Sequence, residues 1–335
     1  MVYAHYGPPE VLHLATVERP VPRNDEVLVR VRATTVSAAD VRCRSFDVPS
    51  SFWIPARLAL GLAKPRRPIL GFELAGDVDA IGNAVTRFKT GDRVFAGTGH
   101  RQGGYGEFVC LPEAGVIATM PTNMTYEQAA AVPIGARTAL HYLRRGKVVR
   151  GQRVLIYGAS GSVGTFAVQL AKHLGAHVTG VCSAAHADLV TSLGADAVVD
   201  YATENFAATP DAYDAVFVAV DKADFADCLK VLKKGGTYLN ATTPLRTPRM
   251  LLAAWTTDVT IVIGELARET PEDLVFLRDL IEEGRLRAVV DRGRDDLVGR
   301  AVEPRVDDLE AGVAQRAGDH LRAAVVAVEA ELRDE

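Results

Sequence analysis

The stretch GASGSVG, residues 158–164, is where composition and spacing in this chain point most directly to chemistry. It follows the β-branched run RVLIY and opens TFAVQLAKHLGA. From the loop onward Val163, Phe166, Ala167, Leu170, Ala171 and Leu174 recur at helical spacing, and Gly175 stands where a helix would stop. A glycine-rich turn from a strand into an amphipathic helix is an anion cradle. Backbone amides come close to a phosphate, and the helix N-terminus adds N–H groups and the positive end of its dipole. In this reading Gly158 permits the tight turn, Gly161 lets the backbone approach a pyrophosphate, and Gly164 lets helix and strand pack closely. Ser160 and Val163 complete the loop. The alternative is a glycine-rich turn that holds nothing.

The next strand-like run, HVTGV, tests which dinucleotide is meant. A carboxylate at its end would hold the ribose 2′-hydroxyl of NAD. This chain continues instead with Cys182, Ser183, Ala184, Ala185 and His186. Without an acid to repel it, a 2′-phosphate is tolerated, with Ser183 as donor and His186 as a possible added charge. NADP(H) is therefore favoured over NAD(H).

These residues need a scaffold. RVLIY, HVTGV, DAVVD, DAVFVAV, GTYLN and VTIVI are six short strand-like runs, most of them separated by helical patterns, as in a doubly wound parallel sheet. The first 120 residues read as β-rich, with EVLVRVRATTV alternating and glycines punctuating GFELAGDVDAIGNAVTRFKTGDRVFAG. The strand–helix rhythm occupies 121–264. TPEDLVFLRDLIEEGRL then reads as a helix with Thr270 as N-cap and Pro271 in its first turn. The run RAAVVAVEA reads as a strand, with a helical turn as the alternative.

Bulk properties exclude several classes. The 335 residues carry a net charge of -4, which argues against general nucleic-acid binding. No uninterrupted apolar run reaches membrane-spanning length, and MVYAHYGPPEVLHL lacks the pattern of a secretory signal. Cys43, Cys110, Cys182 and Cys228 are widely spaced, forming neither a disulfide framework nor a zinc lobe, which fits a cytoplasmic location.

The motifs GFELAGDVDAIG…GDRVFAG, GGYGEFVCLPE, AAAVPIGARTAL, VLIYGASGSVGTFAVQLAKHLGA and GADAVVDY together resemble the medium-chain dehydrogenase/reductase superfamily, and within it the zinc-free quinone oxidoreductase-like branch. The resemblance covers about residues 2–290. It implies an α/β protein with a GroES-like β-rich catalytic domain, 1–120 and 265–335, around a Rossmann domain, 121–264, with the active site in the cleft. Zinc alcohol dehydrogenases of the superfamily carry a cysteine where this chain has Ser37, a histidine where it has Phe72, and a third ligand near Ala136. None of the three can ligate zinc as those residues do, so no zinc is expected. The quinone reductases usually carry asparagine at the position of Ser37, in a stretch like VNPxD where this chain has VSAAD.

The same resemblance implies further roles. Asp40 matches a family aspartate, for which a hydrogen bond to nearby backbone is expected. Thr138 matches a threonine beside the nicotinamide, Tyr201 a tyrosine against the adenosine end, and Arg322 a C-terminal basic residue at the 2′-phosphate. The apolar stretches 50–71, with Trp53, and 250–257, with Trp255, flank the cleft in the family and would make an apolar pocket. Alternatively they pack on each other, form a subunit contact, or, helped by Arg66 and Arg67, meet a membrane surface. Relatives often dimerise through edge strands, which makes VTIVI the candidate edge of a homodimer.

The expected reaction is hydride transfer from NADPH to a small apolar quinone or α,β-unsaturated carbonyl, with Ser37 donating a hydrogen bond to its oxygen. Tyr105, a pocket candidate, and His100 are loop candidates for a proton donor; water would also suffice. Two rivals stand beside it. One is a zinc-free alcohol dehydrogenase or ketoreductase. The other is an NADPH-binding scaffold or sensor without turnover, favoured by the loss of asparagine at 37 and by Asp221, where relatives commonly have glycine.

Overall fold

The computed structural model describes residues 1–48, 53–242, 247–264 and 270–290. The expected Arg322 and the run RAAVVAVEA lie outside the described residues. The chain divides into two compact units, one built on Met1–Ile134 with Glu269–Glu282, the other on Gly135–Arg268 with Glu283–Arg287.

The first unit carries an antiparallel sheet of β1 (Glu26–Thr34), β2 (Glu73–Ile81), β3 (Arg93–Gly97), β4 (Phe108–Pro112) and β5 (Ile117–Thr119), in the order β4-β1-β2-β3-β5. The period of two in VLVRV decides its faces. Val27, Val29 and Val31 enter a core with Leu74, Val78, Phe88, Val94 and Ile117. Arg30 and Arg32, pointing the other way, pair across the strands with Asp79 and Asp77, each at 2.7 Å. Helices α1 (Ala38–Ser45) and α2 (Trp53–Leu60) interrupt the strands between β1 and β2.

Residues 121–134 stay with this first unit although the apolar rhythm changes at 121. Burial of Ala129 and Ala130 and side-chain pairing both join this stretch to the unit's sheet. In α3 (Tyr126–Ala130) the Tyr126 hydroxyl donates to Asp77 of β2, and the Arg93 guanidinium lies 4.7 Å from the Tyr126 ring. The late helix α9 (Glu272–Glu282) returns to the same sheet. Arg278 donates to Thr119 at 2.8 Å, Asn123 donates to the Ile281 carbonyl at 2.8 Å, and the Thr122 amide donates to Glu282 at 3.0 Å.

In the second unit the six expected runs form one parallel sheet. Its strands are β6 (Arg153–Tyr157), β7 (His177–Cys182), β8 (Ala197–Asp200), β9 (Tyr213–Val218), β10 (Leu232–Asn240) and β11 (Thr260–Ile263). The order β11-β10-β9-β6-β7-β8 is that of a doubly wound Rossmann sheet, and the VTIVI strand, β11, is an edge. Between the strands run α5 (Ser162–His173), α6 (Ala187–Ser192), α7 (Phe225–Val231) and α8 (Pro248–Thr256), while α4 (Pro133–Arg145) leads into the sheet. Phe217, fully buried on β9, stacks on Tyr142 of α4 with ring centroids 5.6 Å apart. Replacing Phe217 with Ala is expected to cost about 3–5 kcal/mol of stability, read as a lowered denaturant midpoint with the slope unchanged.

Candidate functional site

The glycine loop lies at the C-terminal end of β6, where the sheet order reverses between β9 on one side and β7 on the other. Gly158 has φ +81°, and the amides of Gly158 and Ala159 both donate to the Val181 carbonyl at 3.0 Å, which pins the turn to β7. Gly161 is the N-cap of α5 and offers no capping side chain; a Cβ there would meet only the Gly158 oxygen at 3.5 Å. The first intrahelical bond runs from Thr165 N–H to the Gly161 oxygen at 2.9 Å, so the amides of Ser162, Val163 and Gly164 precede the helical ladder. A Cβ on Gly164 would sit 2.0 Å from the Gly158 oxygen, so no side chain fits. The loop therefore fits a pyrophosphate: amides precede the ladder, no side chain caps them, Gly158 is required by conformation and Gly164 by contact, and Gly161 leaves the approach open.

A glycine outside the motif proves equally constrained. A Cβ on Gly135, near the start of α4, would lie 2.6 Å from Ser162 Oγ, so α4 and α5 meet at their N-terminal turns. Thr138 is half-buried one turn further along α4. The PIGARTAL motif shows the glycine, but not the helix it touches.

The ends of β7 and β8 bring Ser183, His186 and Tyr201 together. Buried Ser183 has its Oγ 2.9 Å from His186 Nδ1, and the Tyr201 amide donates to the Cys182 carbonyl at 3.2 Å. Register sets Asp200 beside Cys182. Its carboxylate is engaged by its own turn, accepting from the Ala202 amide at 3.1 Å and the Thr203 hydroxyl at 2.9 Å.

The first unit holds a separate constellation around two buried carboxylates. Ser37 is the N-cap of α1 in a reciprocal box with Asp40: its Oγ donates to Asp40 Oδ2 at 2.6 Å and accepts the Asp40 amide at 3.3 Å. Asp40 also accepts the Ser37 amide at 2.9 Å and the Gly71 amide at 3.0 Å, the backbone bonds expected of it. Burial pushes its carboxyl above the ordinary range, against the pull of these donors. Glu73, at the start of β2, accepts the Thr35 hydroxyl at 2.6 Å and the Ile134 amide at 2.8 Å. Burial, with Asp40 nearby, raises its carboxyl to about 7. Neither partner of Glu73 is suggested by any local motif.

Tyr105 is held by the crossing of two glycine segments. Gly71 has φ +101°, and a Cβ on it would lie 2.5 Å from the Gly104 Cα. The Tyr105 amide donates to Leu70, and its ring packs against Tyr3, Val11 and Leu70. Its hydroxyl is buried without a hydrogen-bond partner among the described residues, and burial raises its pKa. His100 is exposed on a short 3-10 turn.

Trp53 opens α2 and meets Phe46 edge-on with centroids 6.0 Å apart, while Trp255 on α8 is 94% exposed. Of the positions that bear on zinc, Ser37 is the α1 cap, Phe72 is half-buried, and Ala136 is a fully buried methyl group. Among the described residues no three His, Cys, Asp or Glu side chains cluster to hold a metal.

The profile described as the alcohol dehydrogenase GroES-like domain matches residues 23–122, and that described as zinc-binding dehydrogenase matches residues 162–254. The chain is 30% identical over 300 residues to the chloroplastic NADPH-dependent alkenal/one oxidoreductase of Arabidopsis thaliana, covering 87% of this chain and 71% of that protein. It is 31% identical to the chloroplast envelope quinone oxidoreductase homolog of the same plant, over 81% and 83% of the two chains. The solved quinone oxidoreductase of Coxiella burnetii superposes with a TM-score of 0.73 at 28% identity, over 85% and 88% of the chains.

Two outcomes are expected from this geometry. Gly164→Ala forces a methyl onto the Gly158 oxygen, so NADPH binding followed by fluorescence quenching should weaken at least tenfold, with about 1–3 kcal/mol of stability lost. Glu73 binds its proton more tightly folded than unfolded. Its contribution to stability is present below the ordinary value near 4.5 and is lost as pH rises through about 7. Glu73→Gln should flatten that part of the Tm–pH profile and raise Tm above pH 7 relative to the parent.

Proposed function

Because the chain belongs to the quinone oxidoreductase-like branch of the medium-chain dehydrogenase/reductase superfamily, and is thus an NAD(P)H-dependent oxidoreductase, we propose that it reduces an apolar quinone or α,β-unsaturated carbonyl, using NADPH and no zinc. The observation that carries this reading is the complete glycine loop beside a β7 end without a free carboxylate. The hydroxyl–imidazole pair of Ser183 and His186 stands where an acid would select NAD, and Asp200 is engaged by its own turn.

When bound, the nicotinamide cofactor supplies hydride to an electron-poor carbon, and negative charge develops on the conjugated oxygen. Within the chain, the amides of Ser162, Val163 and Gly164 receive the pyrophosphate, together with the loop residues Gly158, Ser160 and Gly161. Ser183, His186, Tyr201 and Arg322 serve the adenosine 2′-phosphate end, and Thr138 the nicotinamide side. Ser37 orients the substrate oxygen. Its Oγ–H can turn from Asp40 to the developing charge, because the amides of Ser37 and Gly71 continue to satisfy the aspartate. The absence of cysteine, histidine and a third ligand at 37, 72 and 136 supports a reaction without a polarising metal. The edge position of β11 supports pairing of two copies there.

The test is metal-chelated protein with NADPH and NADH, supplied separately with an ortho-quinone, a medium-chain enal, an enone and a simple ketone. NADPH consumption with the quinone or enal is expected. Ser37→Ala should lower kcat about tenfold or more, whereas Ser37→Asn, which keeps both a cap and a donor, should retain it. Turnover unaffected by Ser37→Ala would remove the orienting role. NADPH binding without turnover on any acceptor would favour a sensor.

A further inference from the structure

We propose that the outward face of α2, with Lys64, Arg66 and Arg67, is a docking surface for an anionic lipid bilayer. In this helix only Ala56 is buried, while Ile54 is 67% exposed and Trp53 and Leu58 are also exposed. Leu62, 68% exposed, extends the apolar face past the helix end. A tryptophan beside aliphatic side chains, flanked by cations, is the composition of a helix that lies in a lipid interface.

Contacts within the chain shape this face. Gly61 has φ +127°, and a Cβ there would lie 2.1 Å from the Lys64 carbonyl oxygen. The Arg66 amide returns to the Leu60 carbonyl at 2.8 Å, folding the basic residues back against the helix end. Arg57 fastens the other side. Its guanidinium lies 3.7 Å from the Phe46 ring centroid, 4.9 Å from Tyr6 and 5.1 Å from Trp53, and it donates to the Leu62 carbonyl at 3.0 Å.

Charge identifies the occupant. The chain as a whole is at -4, yet between Asp47 and Glu73 the sequence holds Arg57, Lys64, Arg66 and Arg67 and no acid. Lys64, Arg66 and Arg67 are exposed, and none of them forms an ion pair among the described residues. A second copy meeting this face through a two-fold axis would bring the same cations together, whereas an anionic headgroup layer complements them while the apolar side chains enter the acyl boundary. The inference is independent of the substrate.

The test uses the full chain carrying Trp255→Phe, so that Trp53 is the remaining tryptophan. It is mixed with phosphatidylcholine vesicles with and without a quarter of phosphatidylglycerol. Co-sedimentation with the anionic vesicles alone is expected, lost at high salt, with a blue shift of Trp53 emission. Combined Lys64→Gln, Arg66→Gln and Arg67→Gln should weaken partitioning about a hundredfold, at roughly fivefold per cation. Turnover of a water-soluble quinone should be unchanged in that variant. Ile54→Ser with Leu58→Ser should abolish the blue shift. The proposal falls if anionic vesicles are not bound at low salt, or if binding survives both sets of substitutions. It also falls if the serine pair raises KM for the soluble quinone without moving vesicle binding, or if it converts a dimer to a monomer in sedimentation.

Discussion

The carbonyl oxygen of Gly158 occupies the space that any side chain at residue 164 would need. That approach lets α5 start directly above the end of β6, a central strand, and it fixes the direction in which the first amides of the helix point. The same oxygen accepts the Gly161 amide at 3.2 Å, while Val220 fills the space a side chain at 158 would take. The loop is thus closed by contacts on the side of Gly158 and Gly164 and open at Gly161, which has nothing but that one oxygen near its missing Cβ. The parallel sheet holds β6 and β7 in the register this turn requires.

The first unit is organised differently, around charge removed from water. Asp40 and Glu73 are both almost wholly buried, and each is surrounded by hydrogen-bond donors rather than by a partner cation. Such groups are costly to bury and costly to leave unpaired, so they impose geometry on whatever donates to them. Asp40 joins the start of α1 to Gly71. Glu73 joins the end of β1 to Ile134, the residue at which the chain leaves this unit. Ser37 is held through the first of these connections, and the first turn of α4 through the second.

Much of this is legible in the sequence, and the boundary of legibility has a physical cause. The six runs RVLIY to VTIVI are the six parallel strands because strand periodicity and glycine punctuation are local signals. The strand–GASGSVG–helix context is legible for the same reason, whereas the backbone role of Asp40 is legible only through the family resemblance, since one of its donors, Gly71, lies 31 residues away. The partners of Glu73 are not: Thr35 and Ile134 lie 38 and 61 residues away, and no spacing rule joins them. Nor does apolar rhythm show that α3 stays with the first unit, since contacts such as the tyrosine–aspartate hydrogen bond, across 49 residues, join it to that sheet. The packing of Trp53 depends on an arginine that also faces Tyr6, a contact assembled from three separate segments.

The return of α9 to the first unit has a consequence for how the protein is made. Thr122 and Glu282, which hold that helix in place, are 160 residues apart, and most of the second unit is synthesised between them. At ordinary rates of translation the sheet β1–β5 emerges roughly ten to thirty seconds before the helix that completes it. During that interval the nascent first unit presents the Thr119–Asn123 edge uncovered, and the second unit still lacks Glu283–Arg287, whose Arg287 exchanges two hydrogen bonds with Gln169. A ribosome-bound chain thus passes through a stage in which both units wait for one short stretch, Glu272–Arg287, that closes the first with a helix and the second with its last residues.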